Sequence, residues 1–342
     1  MPIKIAINGF GRIGRTAFKQ AIERPDLEVV AINDLGDEEN LAYLLRFDSV
    51  YGPYNKTVEA IKEGDKAFLV VDGKKYLSLG EREPQNLPWK ELDVDVVIES
   101  TGVFTSKEKA GLHLEAGAKR VVISAPVKDD EVPHLLPGAN KKELSNPDLA
   151  KITSDASCTT NAVVPVAAIL LNDPGIIKSV MTTVHGYTAT QGLVDGPAAK
   201  DHLRGRAAAV NIVPSHTGAA DAAAKSIPEL RGKFDALALR VPVISGSIVD
   251  FVFLAKRKTS IEEINDIMRA AAKDEVWKGI FTVTEEPLVS TDILGNTHAS
   301  IADLTFTRVV DGDLVKVCAW YDNEWGYSNS LLEHVLSVGK LI

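Results

Sequence analysis

The stretch "SDASCTTN", residues 154–161, sets one of the chain's two cysteines among five Ser, Thr and Asn side chains. Behind it runs "AVVPVAAILL" (162–171), an apolar run that reads as a buried helix. Cys158 therefore stands at a helix N-terminus, with Asp155 or Ser157 as candidate N-caps. The partial positive charge of such an end favours a thiolate, and the thiolate is the nucleophilic form. Polar neighbours do not suit a cysteine that only fills space, so Cys158 is read as an activated nucleophile. Cys318, inside the apolar strand "VKVCAW", reads as core. A nucleophilic thiol wants a base, and of seven histidines only His185 closes an apolar strand, in "TTVHGYTAT". An imidazole there can take the thiol proton and form an ion pair with it. The chain has no CxxC pair and no HExxH, so no metal is expected.

A second constellation lies at the start of the chain. "INGFGRIGR" carries Gly9, Gly11 and Gly14 in the G-x-G-x-x-G arrangement, after a strand pattern and at the opening of a helix. Asp34 follows twenty residues after Gly14, at the end of the next strand. That spacing is the fingerprint of a dinucleotide site. The glycines let the backbone approach a pyrophosphate held at the helix N-terminus, and Asp34 accepts hydrogen bonds from ribose hydroxyls.

Two kinds of element must hold these groups. In the first half, β-branched runs ("IKIAI", "LEVVAIN", "VDVVIES", "RVVIS") alternate with helical stretches. This is the pattern of βαβ units and a parallel sheet. In the second half the strands are longer: "SVMTTVHGY", "ALALRVPV", "GSIVDFVFLAK" and "DLVKVCAWY". They predict an α+β domain on a mostly antiparallel sheet, with a helix opened by Ser260 and Glu263 as a capping box. A final helix, "NSLLEHVLSVGK", can pack on either half. Thr188–Asn211 is a long stretch of small residues, Gly, Pro and Arg, the kind of loop that is usually functional, interfacial or disordered.

Composition sets limits. With 342 residues, two domains are expected. The longest apolar run, Ala162–Leu171, is about half of a membrane span. The N-terminus lacks a signal-peptide layout, and two distant cysteines make no disulfide framework, so a reducing cytoplasm is the expected compartment. A net charge of −9 gives no general attraction for nucleic acid, and the short basic piece "AKRKT" reads as a solvated strand end.

The motifs "INGFGRIGR", "AIND", "ESTGVF", "AGAKRVVISAP", "ASCTTN", "TTVHGYTATQ", "TGAA", "LRVP" and "WYDNEWGYSN" occur in this order from end to end. Together they closely resemble the phosphorylating glyceraldehyde-3-phosphate dehydrogenases. The resemblance implies an NAD-binding Rossmann domain of residues 1–157 and 322–342, and a catalytic domain of residues 158–321. It implies oxidation of an aldehyde with NAD and inorganic phosphate to an acyl phosphate. Cys158 attacks, His185 is the base, and the chemistry passes through a hemithioacetal and a thioester. Matched positions for the cofactor are Gly9, Gly11, Arg12, Ile13, Gly14, Asp34, Arg82, Thr101, Ser124, Asn323 and Tyr327. The attacking phosphate falls to Ser157, Thr159, Thr217 and Gly218. The substrate phosphate falls to Thr188, Thr190 and Arg240, with Arg204 or Arg206 as a further arginine. A homotetramer follows from the same resemblance, the Thr188–Asn211 segment reaching a neighbouring subunit's cofactor site.

The chain departs from that pattern in places. Asp155 stands where Asn is usual, bringing a carboxylate close to the nucleophile in sequence. His216 and Asp221 replace a small hydroxyl and a lysine, and "VPVISGS" is also unusual. Rival readings are an erythrose-4-phosphate dehydrogenase, an aspartate-semialdehyde-type dehydrogenase and a catalytically silent dinucleotide sensor. The intact "TAT" and "TGAA", the "YDNEWGYSN" run, and the presence of both Cys158 and His185 argue against them in turn.

Overall fold

The structure is a computed structural model that describes residues 1–198 and 201–342. The chain forms two compact units. The first comprises Met1–Leu135, Lys142–Ala156 and Leu331–Ile342, and the second Leu136–Lys141 and Ser157–Ser330.

The first unit is built on an eight-stranded sheet. Its strands are β1 (Ile3–Asn8), β2 (Leu27–Asn33), β3 (Val58–Glu63), β4 (Lys66–Val71), β5 (Lys74–Leu79), β6 (Val96–Glu99), β7 (Arg120–Ile123) and β8 (Ile152–Ser154). Their spatial order is β8-β7-β6-β1-β2-β5-β4-β3. The first six in that order run parallel, and β4 and β3 add an antiparallel edge. The central strands β6 and β7 are buried on both faces, which is why they read as unbroken Val/Ile runs. Helix α1 (Arg12–Ala21) follows β1 with Gly11 as its N-cap. Helix α2 (Glu38–Arg46) is capped by Asp37, and α3 (Lys107–Glu115) by Ser106.

The second unit carries a seven-stranded sheet. Its strands are β9 (Ile176–Gly186), β10 (Val213–His216), β11 (Phe234–Val241), β12 (Ser247–Ala255), β13 (Phe281–Thr284), β14 (Ser300–Val310) and β15 (Leu314–Tyr321). The order is β10-β11-β9-β12-β15-β14-β13. Antiparallel pairings dominate, and only β9 with β11 and β13 with β14 run parallel. Helix α4 (Cys158–Asn172) lies in the core of this unit, with Val163, Val164, Val166 and Leu170 all fully buried. Each such side chain contributes roughly 1.5–3 kcal/mol relative to exposure. Helices α5 (Ala219–Ser226) and α6 (Ile261–Ala271) pack against α4. Ser260 caps α6, but the Glu263 carboxylate goes to the Thr259 hydroxyl and Arg257, so the box predicted there is only half made.

The last helix, α7 (Trp325–Gly339), is divided between the units at Leu331. The sequence division placed 322–342 with the dinucleotide domain. Asp322–Ser330 instead belong to the second unit, where the Asn323 side chain accepts from Gly246 N and Ser247 Oγ. Leu136–Lys141 also join the second unit, tied there by Asn140 to the Ser226 carbonyl. Among the described residues no helix is long and apolar enough to cross a membrane.

Candidate active site and dinucleotide cleft

In the first unit a cleft of about 310 Å³ opens beside the ends of β1, β2 and β6. Gly9, Gly11, Asp34, Arg82 and Thr101 line it, with Asn8, Asn33, Glu81 and Phe104. The glycines differ in their reasons. Gly9 has φ +95°, and a Cβ there would lie 2.7 Å from the backbone of Ser100 and Thr101. At Gly14 a Cβ would fall 2.0 Å from the Gly9 carbonyl oxygen, so glycine lets α1 close onto the turn. Around Gly11 the space is open, which leaves the N-terminus of α1 approachable by a pyrophosphate. Asp34 holds the turn with both oxygens, accepting from Phe10 N at 2.7 Å and Gly36 N at 2.9 Å. Each oxygen keeps a lone pair for a ribose hydroxyl. This cleft fits a dinucleotide.

Six of the sequence-predicted cofactor residues, Arg12, Ile13, Gly14, Ser124, Asn323 and Tyr327, do not line the cleft. Arg12 pairs with Asp48 at 2.7 Å and stacks over Tyr51. Ile13 is a first-turn residue of α1. Ser124 donates to the Glu99 carbonyl at 3.0 Å. A support that sequence reasoning missed lies beneath the cleft. The buried Glu99 carboxylate accepts from Asn8 Nδ2, from Thr101 N and Oγ1, and from His113 Nε2. Trp89 donates to His113 Nδ1, which fixes the proton on Nε2. Asn33 Nδ2 in turn donates to Asn8 Oδ1. Asn323 and Tyr327 belong to the second unit. All the hydrogen bonds of the Asn323 side chain fall on Oδ1, so its amide nitrogen is the end left to a ligand. Tyr327 is buried in α7.

In the second unit the predicted nucleophile and base come together. Ser157 caps α4, accepting from Thr160 N at 3.1 Å, and Cys158 is its first residue. Cys158 Sγ lies 3.4 Å from His185 Nε2. His185 is the penultimate residue of β9 and pairs in register with Arg240 on β11. Its Nδ1 is 2.6 Å from the Gly186 carbonyl oxygen and 2.6 Å from Arg240 Nη1. The carbonyl only accepts and the guanidinium only donates, so each tautomer satisfies one of them. With Nδ1–H on Gly186, Nε2 is free to take the thiol proton. With Arg240 donating to Nδ1, Nε2–H faces the sulfur.

The electrostatics differ from the sequence expectation of a thiol eased by its helix end. Burial pushes the Cys158 thiol up, while Arg240 and then hydrogen bonds from Thr159 pull it down. Cys158 is partly exposed, which weakens the burial effect. Burial, and then the Arg240 guanidinium, depress His185 to about 3. Both shifts disfavour the charged forms of the pair, the thiolate of Cys158 and the imidazolium of His185.

The hydroxyl groups separate into two sets. Thr159 Oγ1 is 3.0 Å from the Tyr321 hydroxyl, which also meets Thr183 Oγ1 at 2.7 Å. Tyr321 packs edge-on to the His185 ring, a contact that sequence reasoning did not foresee. Thr188 and Thr190 exchange a hydrogen bond at an exposed position. Thr217 Oγ1 accepts from Ala219 N, and Gly218 caps α5 without a side chain. Arg206 forms an exposed pair with Asp195. Arg204 reaches toward the His216 carbonyl beside Thr217, and its charge is felt at Arg240, so geometry favours Arg204 over Arg206. Position 199–200 of the long loop lies outside the described residues.

Residues 3–107 match the family profile "Glyceraldehyde 3-phosphate dehydrogenase, NAD binding domain", and residues 157–323 match the corresponding C-terminal domain. The chain belongs to the glyceraldehyde-3-phosphate dehydrogenase family. It is 51% identical to the glyceraldehyde-3-phosphate dehydrogenase of Thermotoga maritima, over 96% of this chain and 97% of that protein. It is 47% identical to the Geobacillus stearothermophilus enzyme of the same name, over 97% of each. The Yarrowia lipolytica enzyme is 49% identical over 99% of this chain and 98% of its own. In this family member the N-terminal match covers the glycine turn and Asp34, and the C-terminal match covers Cys158, His185 and Arg240.

Proposed function

We infer that the chain oxidises glyceraldehyde 3-phosphate with NAD and inorganic phosphate to 1,3-bisphosphoglycerate. The observation that carries this is the Cys158–His185 pair at 3.4 Å, flanked by Arg240 and ringed by hydroxyls. Cys158 Sγ attacks the aldehyde carbon and its proton passes to His185 Nε2. The new C–S bond leaves an oxyanion, which an N–H on His185 and the Cys158 backbone stabilise. Bound NAD supplies the acceptor for the hydride that leaves this carbon. A phosphate oxygen then attacks the thioester, the C–S bond breaks, and the thiolate is regenerated. Two anionic groups flank the thiolate in this scheme, so hydroxyls and arginines suit the lining and carboxylates do not. We assign the attacking phosphate to Ser157, Thr159, Thr217 and Gly218. We assign the substrate phosphate to Thr188, Thr190, Arg240 and Arg204. Activity with and without phosphate, on this aldehyde and on erythrose 4-phosphate, tests the reading. Phosphate-independent release of a free acid would sink it.

Arg240→Leu is expected to raise KM for the phosphorylated aldehyde far more than for an unphosphorylated one, because the guanidinium binds a remote group. It should also lower kcat on both, since Arg240 touches His185 and Gly186. Equal KM changes on the two aldehydes would make Arg240 purely structural.

NAD is favoured over NADP because a 2′-phosphate would meet the Asp34 carboxylate. Asp34→Gly should weaken NAD by about 10–100-fold in kcat/KM, the loss of hydrogen bonds to a charged group. It should also relieve the penalty on NADP. Comparable use of both cofactors by the native protein would refute the charge argument.

The chain acts as a homotetramer in this reading. Leu193, Val194 and Val210 of the Thr188–Asn211 segment are each more than 70% exposed, a face that a second copy would cover. Sedimentation as a monomer would refute it. Both cysteines are free thiols, which suits a reducing cytoplasm.

A further inference from the structure

The dinucleotide cleft of the first unit rests on one buried carboxylate. Glu99 ends β6 at 1% exposure, and neither it nor its neighbours His113 and Trp89 line the cleft. Its Oε2 accepts from Asn8 Nδ2 at 2.6 Å and from His113 Nε2 at 3.0 Å. Its Oε1 accepts from Thr101 N at 2.9 Å and from the Thr101 hydroxyl. The two donors on Oε2 are 3.4 Å apart and converge on that oxygen.

Three of those four donors cannot be turned round. A backbone N–H only donates, which settles Thr101 N. The Trp89 indole also only donates, and it takes His113 Nδ1 at 3.0 Å, so the ring proton sits on Nε2 and faces Glu99. Asn8 is fixed by a longer chain of bonds. The Asn33 amide exchanges hydrogen bonds with Glu81, accepting from its N–H at 2.8 Å and donating to its carbonyl at 2.8 Å. Asn33 Nδ2 also donates to Asn8 Oδ1 at 2.7 Å, which leaves Asn8 Nδ2 for Glu99. A buried polar network that is fully satisfied in this way is rigid and specifies one arrangement.

What the network grips is the glycine turn. Asn8, held by Oε2, is the residue before Gly9. Ser100 N donates to the Asn8 carbonyl at 2.8 Å, and Ser100 Oγ donates to the Gly9 carbonyl at 2.7 Å. Thr101, held by Oε1, lies against the other side of the turn: a Cβ on Gly9 would come within 2.7 Å of Thr101 N. Glu99 thus holds both the chain entering the turn and the strand end packed against it. The turn leads into Gly11, the N-cap of α1, and that helix end is where a pyrophosphate is received. Asp34, at the ribose end of the cleft, has separate ties to Phe10 N and Gly36 N.

We propose that Glu99 is a positioning residue for the cofactor, its carboxylate fixing the glycine turn in the geometry that receives the pyrophosphate. The proposal rests on the cleft being the NAD site. Glu99 lies outside the lining, so it acts on the ligand only through Asn8 and Thr101, which line the cleft. Its effect falls on the pyrophosphate and spares the adenosine end.

The test is Glu99→Gln in the full chain, with binding of NAD, ADP-ribose and adenosine measured by calorimetry. Glutamine has the shape of glutamate, but its amide N–H groups must face Thr101 N in one orientation, or Asn8 Nδ2 and His113 Nε2 in the other. A buried donor is stranded either way. NAD and ADP-ribose, which carry the pyrophosphate, should bind about tenfold more weakly, the scale of one lost hydrogen bond to a charged group. Adenosine, which lacks the pyrophosphate, should bind as it does to the native protein. Unchanged ADP-ribose binding, or a loss that adenosine shares in full, marks a merely structural carboxylate and overturns the proposal. Where Glu99→Gln does not fold, His113→Phe decides. It keeps an aromatic ring at a buried position off the cleft lining and removes the Nε2 donor. The same selective loss is expected there, and its absence overturns the proposal. Native protein in which ADP-ribose fails to displace NAD would instead remove the reading of the cleft as the NAD site.

Discussion

Cys158→Ser is expected to lower aldehyde oxidation by roughly four orders of magnitude or more, with NAD binding intact. A serine hydroxyl at neutral pH is almost wholly protonated and is a far weaker nucleophile than a thiol. The structure makes the substitution nearly silent elsewhere. Ser157 caps α4 through its own hydroxyl, and the helix is held by Val163, Val164 and Leu170, so neither depends on sulfur. The dinucleotide cleft is lined by residues 8–104 alone, which keeps cofactor binding as a clean control. Stoichiometric iodoacetamide should label Cys158 and spare Cys318. Cys318 is buried in β15 and its thiol is pushed up to about 11. At pH 8 only about one molecule in a thousand carries that thiolate. The checks are kcat/KM on the phosphorylated aldehyde, NAD titration by fluorescence quenching, and peptide mapping of the label. Residual activity near native, or label on Cys318 first, would move the nucleophile elsewhere.

What was legible in the sequence was whatever is encoded locally. The glycine turn could be read because its spacing is local: Gly14 answers the Gly9 carbonyl, Gly9 the adjacent strand end, and Gly11 leaves the helix end open. Ser157 could be read as one of two candidate caps of α4, with Asp155, because capping is an i to i+3 interaction. His185 could be found because a strand end is a pattern. Arg240 beside His185 could not. Their contact is made by the parallel register of β9 and β11, across 55 residues of chain, and nothing local specifies it. Only the "LRVP" resemblance pointed there. The same limit hid Tyr321, which meets Thr159 across 162 residues, and His334, which meets Asp155 across 179. Glu99 was quoted as part of a motif, but its four donors come from two separate elements, β1 and α3, and from the turn after β6. The thiol's electrostatics were only partly visible for a related reason. A helix N-terminus is visible in sequence, whereas burial and a guanidinium from another strand are not.

His185→Asn should leave a slow enzyme, with kcat down by on the order of 10² to 10⁴, the usual contribution of a positioned base. The hydrogen-bonding shape is partly kept, so the loss reports proton transfer more than collapse of the site. Alkylation of Cys158 gives the sharper signature. Because burial and Arg240 hold His185 at about 3, the imidazole stays neutral from the thiol transition down to that pH. A neutral base beside a thiol gives a rate independent of pH between the two transitions, since thiol and base are both at full occupancy there. The native protein should therefore show a low-pH plateau that ends only near the His185 transition. The asparagine variant should lose the plateau and fall tenfold per pH unit below the thiol midpoint. The same depressed value has a stability consequence. An unfolded histidine takes up a proton below about 6.5 that the folded one refuses, so this group destabilises the fold as pH drops from there toward 3. By pH 5 the loss is about 2 kcal/mol. His185→Asn removes that term, so the variant's unfolding free energy should decline less than the native protein's between pH 7 and pH 5. Urea melts at the two pH values, read beside the alkylation profiles, measure both effects on the same pair of proteins. An unchanged alkylation profile together with parallel pH trends in stability would dissolve the pairing of Cys158 with His185.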